Sequence, residues 1–600
     1  MSRIPDCPKT YPILMVCLIA FAMAAGSEAA DQVVTTNADS GAGSLRQAIL
    51  DIESGGADGD TITFNLSAGN ETITIGSQFG LIWQKNFIVD GDNTAGSGTN
   101  VTVQVTTPGV SPFRIFEIRP YSGTHTLKNL TLRGGNVTDG GGAVKVHSGD
   151  ATGNLVLENV TISDSAANYG GGVYAWGTMG SLTVTDSVFQ NNSATSASPY
   201  GGGAIFMRSL NGPITITGST FDGNTSNYYG GAIEIYDEAF SIDKSSFSNN
   251  TATNSGGAIY VSGVNSPTTS SISNSTFSGN TAGPSGSNNF GGGIYYYYGV
   301  HEITNSTFSG NTAQIGAGIA FSYATLYLTN ATVANNTTTA LGGGLYHGSG
   351  AASMLHIKNT ILANNGAQDF NLENGSVTDN GYNIVENSTN YAWTATGDIT
   401  GDQINLNLSA TLADNAGLNG TQTLALATGS VAIDAGDNAA NSGVSVPAND
   451  QRDLGRLGTV DIGAYEFGGV GNAAPVAVDD SETTTVDTIL VTGNVLDNDT
   501  DANPLDTLSV SAADTASVEG GTVTNNNDGT FQYLPPVGFT GTDSFDYTVS
   551  DGNGGADTGT VSITVDPEAG RSGNGSSLGP AQILFMLALL AIARSRRTRL

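Results

Sequence analysis

The sequence predicts an all-β chain, with a parallel β-helix over residues 31–467 and a small β-sandwich over 475–566. Three observations predict it. A phrase of the Thr-Phe-Ser-Gly-Asn type recurs with an apolar residue at Leu132, Ile162, Phe189, Phe221, Phe247, Phe277, Phe308, Val333 and Ile361, one unit in about 29 residues. Between copies lies a Gly-Gly phrase, as in Gly171-Gly172-Val173-Tyr174, Gly230-Gly231-Ala232-Ile233 and Gly292-Gly293-Ile294-Tyr295. Composition agrees: glycine supplies 82 of 600 residues, charged residues only 12% and apolar residues 38%. Without a three-residue glycine period this is not collagen, and it is too apolar for wholesale disorder.

The N-terminal element, residues 1–30, reads as a secretory signal. Arg3 and Lys9 precede the apolar run Ile13 to Ala25, and small residues follow up to the expected cleavage position Ala29. A run of this length is short against the ~20 residues of a spanning helix. Cys7 and Cys17 both lie inside this segment, so the mature chain holds no thiol. Disulfides, thiolate metal sites and cysteine nucleophiles are thereby excluded.

The repeats are strands. Segments such as Leu182-Thr183-Val184-Thr185 and Ile214-Thr215-Ile216-Thr217 alternate apolar with polar, which buries one face. A unit of this size is too small for a propeller blade of roughly 40 residues. Coiling with three short strands per turn stacks each unit on the last, predicting roughly 12 to 15 turns at ~4.8 Å per turn. Asn192, Asn224, Asn250, Asn280, Asn311, Asn336 and Asn364 each follow a core apolar residue by three positions, so a stacked Asn ladder at the turn is expected.

Both margins of this region carry a resemblance. Asp39-Ser40-Gly41-Ala42-Gly43-Ser44-Leu45-Arg46-Gln47-Ala48-Ile49 is similar to the opening segment of secreted bacterial right-handed parallel β-helix proteins. Ser430-Val431-Ala432-Ile433-Asp434-Ala435-Gly436, Asp450-Gln451-Arg452 and Asp461-Ile462-Gly463-Ala464-Tyr465-Glu466 resemble the closing module of the choice-of-anchor β-helix family. Here Asp453-Leu454 stands between Arg452 and Gly455, where that family passes directly to Gly. Arg46, Asp450, Arg452 and Asp461 are expected as structural ion-pair residues capping the open ends of the coil.

Catalysis meets obstacles in the composition. The chain carries a net charge of -34, and seven of its 19 basic residues (Arg3, Lys9, Arg571, Arg594, Arg596, Arg597, Arg599) sit at the two ends. An acidic body disfavours nucleic acid as a partner. Uronate lyase chemistry needs clustered positive charge, whereas Lys128, Arg133, Lys145, Arg208, Lys244 and Lys358 form no obvious column. Hydrolysis needs two carboxylates. Glu234, Asp237, Glu238 and Asp243 form the densest acidic patch, with a solvated loop face as the alternative reading. His125, His147, His301, His347 and His356 show no metal-ligand spacing. Tyr228, Tyr229, Tyr236 and the run Tyr295, Tyr296, Tyr297, Tyr298 cannot all point inward from strands, and exposed tyrosines suit glycan or protein surfaces.

Residues 468–474 are a Gly/Asn/Ala linker. Residues 475–566 alternate in short strands with turn signals, the pattern of a β-sandwich. Gly493-Asn494-Val495-Leu496-Asp497-Asn498-Asp499 and Phe539-Thr540-Gly541-Thr542-Asp543-Ser544-Phe545 resemble bacterial cadherin-like, immunoglobulin-like modules. The resemblance implies a calcium loop at Asp499, Asp501 and Asp506, with calcium as the one cofactor, although Ala502-Asn503-Pro504-Leu505 replaces the commoner acidic loop.

Residues 567–577 are a flexible Gly/Ser linker, and 578–600 a short hydrophobic helix ending in a basic cluster. This order resembles the GlyGly-type C-terminal sorting signals of Gram-negative bacteria. That implies processing near Gly573, Gly575, Ser576 and Ser577 by an intramembrane protease, after transient anchoring in the inner membrane. A permanent membrane anchor is the alternative. The reading as a whole is an exported protein displayed at the cell surface or released, adhesin-like, with an extracellular glycan or surface protein as its partner. A β-helix polysaccharide lyase or hydrolase is the alternative, and a structural envelope component the third.

Overall fold

The computed structural model describes residues 31–568 apart from short loop segments. The expected elements at 1–30 and 569–600, with Ala29, Gly573, Gly575, Ser576 and Ser577, lie outside the described residues. No described helix is long and apolar enough to cross a membrane. The chain forms two units, dividing at Gly471 and Asn472.

The first unit is a parallel β-solenoid of about 11 turns, most of its strands joined in one 33-stranded sheet that wraps through three faces and seven short ones stacked in a separate parallel sheet. Each turn hydrogen-bonds in register to the next, so equivalent residues stack along the axis. On the second face Ile162, Phe189, Phe221, Phe247, Phe277, Phe308, Val333 and Leu362 form one interior column. The five phenylalanine rings lie nearly parallel, 4.5 to 4.7 Å between centroids. That spacing matches the strand separation, so the backbone ladder itself holds the rings in stacking distance.

Glycine marks the approach to the third face for two separate reasons. Gly230 adopts φ +60°, where a side chain would be strained. At Gly231 a Cβ would stand 2.0 Å from the Gly257 carbonyl oxygen of the next turn. Only glycine lets the turns close to hydrogen-bonding distance there.

The ends differ from expectation. Helix Leu45–Gly55, N-capped by Ser44, buries Leu45, Ala48, Ile49 and Ile52 near the start of the coil. Arg46 pairs there with Asp39 at 2.6 Å and holds the Ser77 and Gln78 carbonyls. The coil itself stops at strand Ile399–Thr400, which is why it has fewer turns than the 12 to 15 expected. Residues 404–467 instead fold back along the side of the second face. They cover the outward column Thr276, Thr307, Thr332 and Ile361. Gln451 bonds Thr276 and Thr307, the Ala464 N–H donates to Thr332, and Ile361 packs with Leu406, Leu426 and Ile462.

Asp450, Arg452 and Asp461 therefore hold a lateral strap and do not cap an end. Arg452 pairs with buried Asp450 at 2.6 Å, and Asp461 accepts backbone N–H groups of Asp434 and Phe467. A second buried pair, Arg456 with Glu466 at 3.1 Å, went unforeseen. Asp453, at φ +62°, reaches Lys244 of the coil at 3.0 Å.

The second unit is a β-sandwich. A four-stranded sheet holds Asp480–Thr485, Ala556–Asp566, Gly541–Ser550 and Ser509–Ala513, and a three-stranded sheet holds Leu490–Val491, Phe531–Leu534 and Thr522–Asn525. Phe531, Tyr533, Phe545, Tyr547, Val561 and Ile563 fill its core.

Candidate functional site: an aromatic face and an acidic trio

The third face of the solenoid carries an aromatic layer outside the coil. Its outward column runs Lys145, Tyr174, Phe206, Glu234, Tyr260, Tyr295, Ala320 and Tyr346. These positions face away from the coil interior, yet they are buried from Tyr174 to Tyr346 because the loops before each strand roof them. Tyr169 and Tyr200 cover Phe206, Tyr229 stacks on Tyr260 at 4.0 Å, and Phe290 stacks on Tyr295 at 5.0 Å. Arg208 lies over the rings of Trp176, Tyr200 and Tyr236, where its charge meets the negative faces of three π systems.

Of the tyrosines marked in the sequence, the structure exposes only some. Tyr296 points into the solenoid core, because it follows Tyr295 on a strand and side chains alternate. Tyr295 is outward but roofed. Tyr228, Tyr229 and Tyr236 are half-buried in the layer. Tyr297 and Tyr298 reach the surface beside Tyr323, which the sequence reading missed. Tyr298 and Tyr323 stack at 5.2 Å, and Tyr297 meets both edge-on. Tyr298 (φ +71°) and Tyr323 (φ +55°) both hold left-handed backbone conformations, which costs a bulky residue about 1 kcal/mol or more. Tyr323 stays 46% exposed. The signal was present: Tyr323 follows Gly316-Ala317-Gly318-Ile319, a Gly-Gly phrase interrupted by alanine.

The acidic patch splits. Glu234 is fully buried between Phe206 and Tyr260; burial pushes its carboxyl well above the usual range, and one of its oxygens accepts the Gly201 N–H. Asp237 and Glu238 instead line a corner pocket with Tyr298 and His301. Burial, and then the neighbouring Asp237 charge, push Glu238 up to about 7, against a Leu210 N–H that favours the ionised form. Asp243 lies one face away, bonded to Ser273 and Asn274. The basic residues are engaged: Lys128 with Asp90, Arg133 with Asp164, Lys145 with Asp139, Lys244 with Asp453, and Lys358 with Asp437. With Arg208 held among aromatic rings and bonded to the Tyr200 hydroxyl, all six basic residues weighed in the sequence are engaged within the protein.

In the second unit, carboxylate oxygens of Asp501, Asp506 and Asp551 lie within 4.8 Å of one another. Asp499 is not in this trio, because it accepts the Val478 N–H and the Tyr547 hydroxyl. Asp551, far off in sequence, takes its place. Asp501 Oδ2 is buried without a hydrogen-bond partner, and three hard oxygen donors suit a divalent cation such as calcium.

A family model described as a bacterial cadherin-like domain matches residues 472–567. A second, the Chlamydia polymorphic membrane protein repeat, matches residues 186–208, 218–235 and 244–262. These three stretches cover successive turns of the solenoid. Together the two matches point to a surface-displayed, adhesin-like protein. No curated protein matches the chain.

Proposed function

We propose that this is an exported, cell-surface adhesin-like protein whose solenoid recognises an extracellular glycan through its aromatic third face, and whose sandwich unit binds calcium. The Tyr297, Tyr298 and Tyr323 cluster carries the reading: three rings meet at the surface, two of them held on strained left-handed backbone. Aromatic platforms with polar neighbours stack on the apolar faces of sugar rings. Acidic surroundings with Lys128, Lys145, Lys244 and Lys358 paired disfavour polyanionic ligands.

One observation favours a second reading as a hydrolase. Glu238, held near pH 7 beside Asp237, has the protonation behaviour of a general acid. Incubating the purified protein with a glycan array, and in parallel assaying the bound polysaccharides for new reducing ends, separates the two. Retention without cleavage supports recognition; turnover lost in Glu238→Gln supports hydrolysis; a flat result in both leaves the structural envelope role.

A further inference from the structure

The three-stranded sheet of the second unit carries an apolar patch on its outer face. Phe531 and Tyr533 point into the core, so the residues between and beside them point outward. Leu490 pairs with Tyr533 and Thr522 with Leu534. That register sets Ile489 beside Leu534, with Val491 next along the same face. Ile489 and Val491 are each 58% exposed, Leu534 44% and Val537 96%. The loop carrying Val537 is tied to this edge, because the Gly538 N–H donates to Asp487 Oδ1 at 2.8 Å. Single exposed apolar residues are ordinary, whereas four gathered at one place mark a surface that another element covers. The last strand of the unit ends here as well: Asp566 pairs with Thr485, and its carbonyl accepts the Val486 N–H at 2.9 Å. The chain therefore leaves the sandwich beside the patch.

We propose that this patch is the docking place of the chain's own apolar tail, Leu578 to Ala593, which lies outside the described residues. Ile583 to Ile592 is an unbroken apolar run, costly to leave in water. The eleven residues 567–577 before the tail span ~36 Å when extended, at ~3.3 Å each, so the tail reaches the patch. So short a tether also gives the tail a high effective concentration there. Charge selects the same occupant. Asp487, Asp566 and Glu568 stand where the chain leaves, and Arg594, Arg596, Arg597 and Arg599 follow the apolar run. An anionic bilayer is repelled by that acidic edge, and a second copy sets acid against acid in a chain of net charge -34. The sandwich thereby shelters its own tail whenever the tail is out of a membrane. This inference is independent of the glycan reading.

Thiol labelling tests it, since the chain from residue 31 onward holds no cysteine. Val537→Cys is introduced into that chain with its tail and into the same chain ended at Ser577, and the rate of reaction with a maleimide is followed in lipid-free buffer. Labelling is expected at least tenfold slower with the tail present, by the same factor at every protein concentration. Val110→Cys, exposed on the solenoid, should react equally fast in both chains. Adding Ile489→Ser and Leu534→Ser to the tailed chain returns the rate at position 537 to that of the shortened chain, thermal unfolding confirming that the variant folds. Equal rates with and without the tail overturn the proposal, as does protection that survives the two serine substitutions. Protection that grows with protein concentration overturns it in favour of a second copy. Protection that needs vesicles of anionic phospholipid overturns it in favour of a bilayer.

Discussion

The side-chain oxygen of Asn280 accepts two hydrogen bonds from Asn250, one from its backbone N–H at 3.0 Å and one from its carboxamide at 2.9 Å. The Asn250 carboxamide also donates to the Phe221 carbonyl at 2.9 Å, and the same geometry links Asn192, Asn224, Asn250, Asn280, Asn311, Asn336 and Asn365. Asp369 ends the ladder as a pure acceptor. Every turn thereby satisfies backbone groups of its neighbours in a buried corner.

Breaking one rung is costly. Asn280→Ala leaves the Asn250 N–H without its acceptor and takes one donor from the Phe247 carbonyl, and an orphaned buried group costs about 1 to 3 kcal/mol. Urea denaturation should show about 3 kcal/mol lost. A loss under about 0.5 kcal/mol would mean that the ladder is ornamental.

The last rung fixes the register. Asn364 is exposed at φ +56°, whereas Asn365 is buried on the ladder. Asn364→Gly should therefore be nearly neutral, within about 0.5 kcal/mol, since glycine accepts that backbone. Asn365→Ala should destabilise like Asn280→Ala, and the reverse ranking would move the register by one residue.

The strap depends on a buried ion pair. Removing Arg456 strands Glu466 in the protein interior, at about 3 to 5 kcal/mol. Replacing both, as Arg456→Met with Glu466→Gln, should recover much of that loss in a double-mutant cycle.

Acid should act through His125, which burial depresses to about 4. Only the unfolded chain takes up its proton near 6.5, so this contribution to stability is intact above that pH and falls away between about 6.5 and 4. Relative to His125→Leu, the protein should lose about 3 kcal/mol across that window, at ~1.4 kcal/mol per pH unit. A difference constant from pH 7 to 4 would contradict it. Asp369, pushed by burial up to about 6, works in the opposite sense: its folded-state cost is relieved as pH falls through about 6.

Calcium should raise the unfolding temperature of the sandwich unit and chelator should lower it. Asp506→Asn and Asp551→Asn should remove that response. Asp499→Asn should weaken the unit equally with or without calcium, because Asp499 serves Tyr547 and the Val478 backbone.

The sequence made the coil legible because each turn repeats the same physical demands: glycine where turns touch, asparagine at the corner, phenylalanine in the stack. It misled at Ile361, where two apolar residues and two asparagines follow one another. Only the pairing of Val333 with Leu362 decides between them. The strap was illegible as a strap, because it occurs once and its partners Thr276 and Gln451 lie far apart in the chain. For the same reason Asp551 was missed at the acidic trio. The aromatic face was half legible: the tyrosine run stood out, but Tyr200 and Phe290 roof it from loops that carry no periodic signal.

The most direct test of glycan recognition by the third face is the affinity of the Tyr298→Gly, Tyr323→Gly double variant for a glycan that the unaltered protein retains. Glycine removes both rings and also relieves the left-handed backbone, so stability should change little. The account predicts binding reduced at least tenfold with an unfolding temperature close to that of the parent. Unchanged affinity in a folded variant would contradict it.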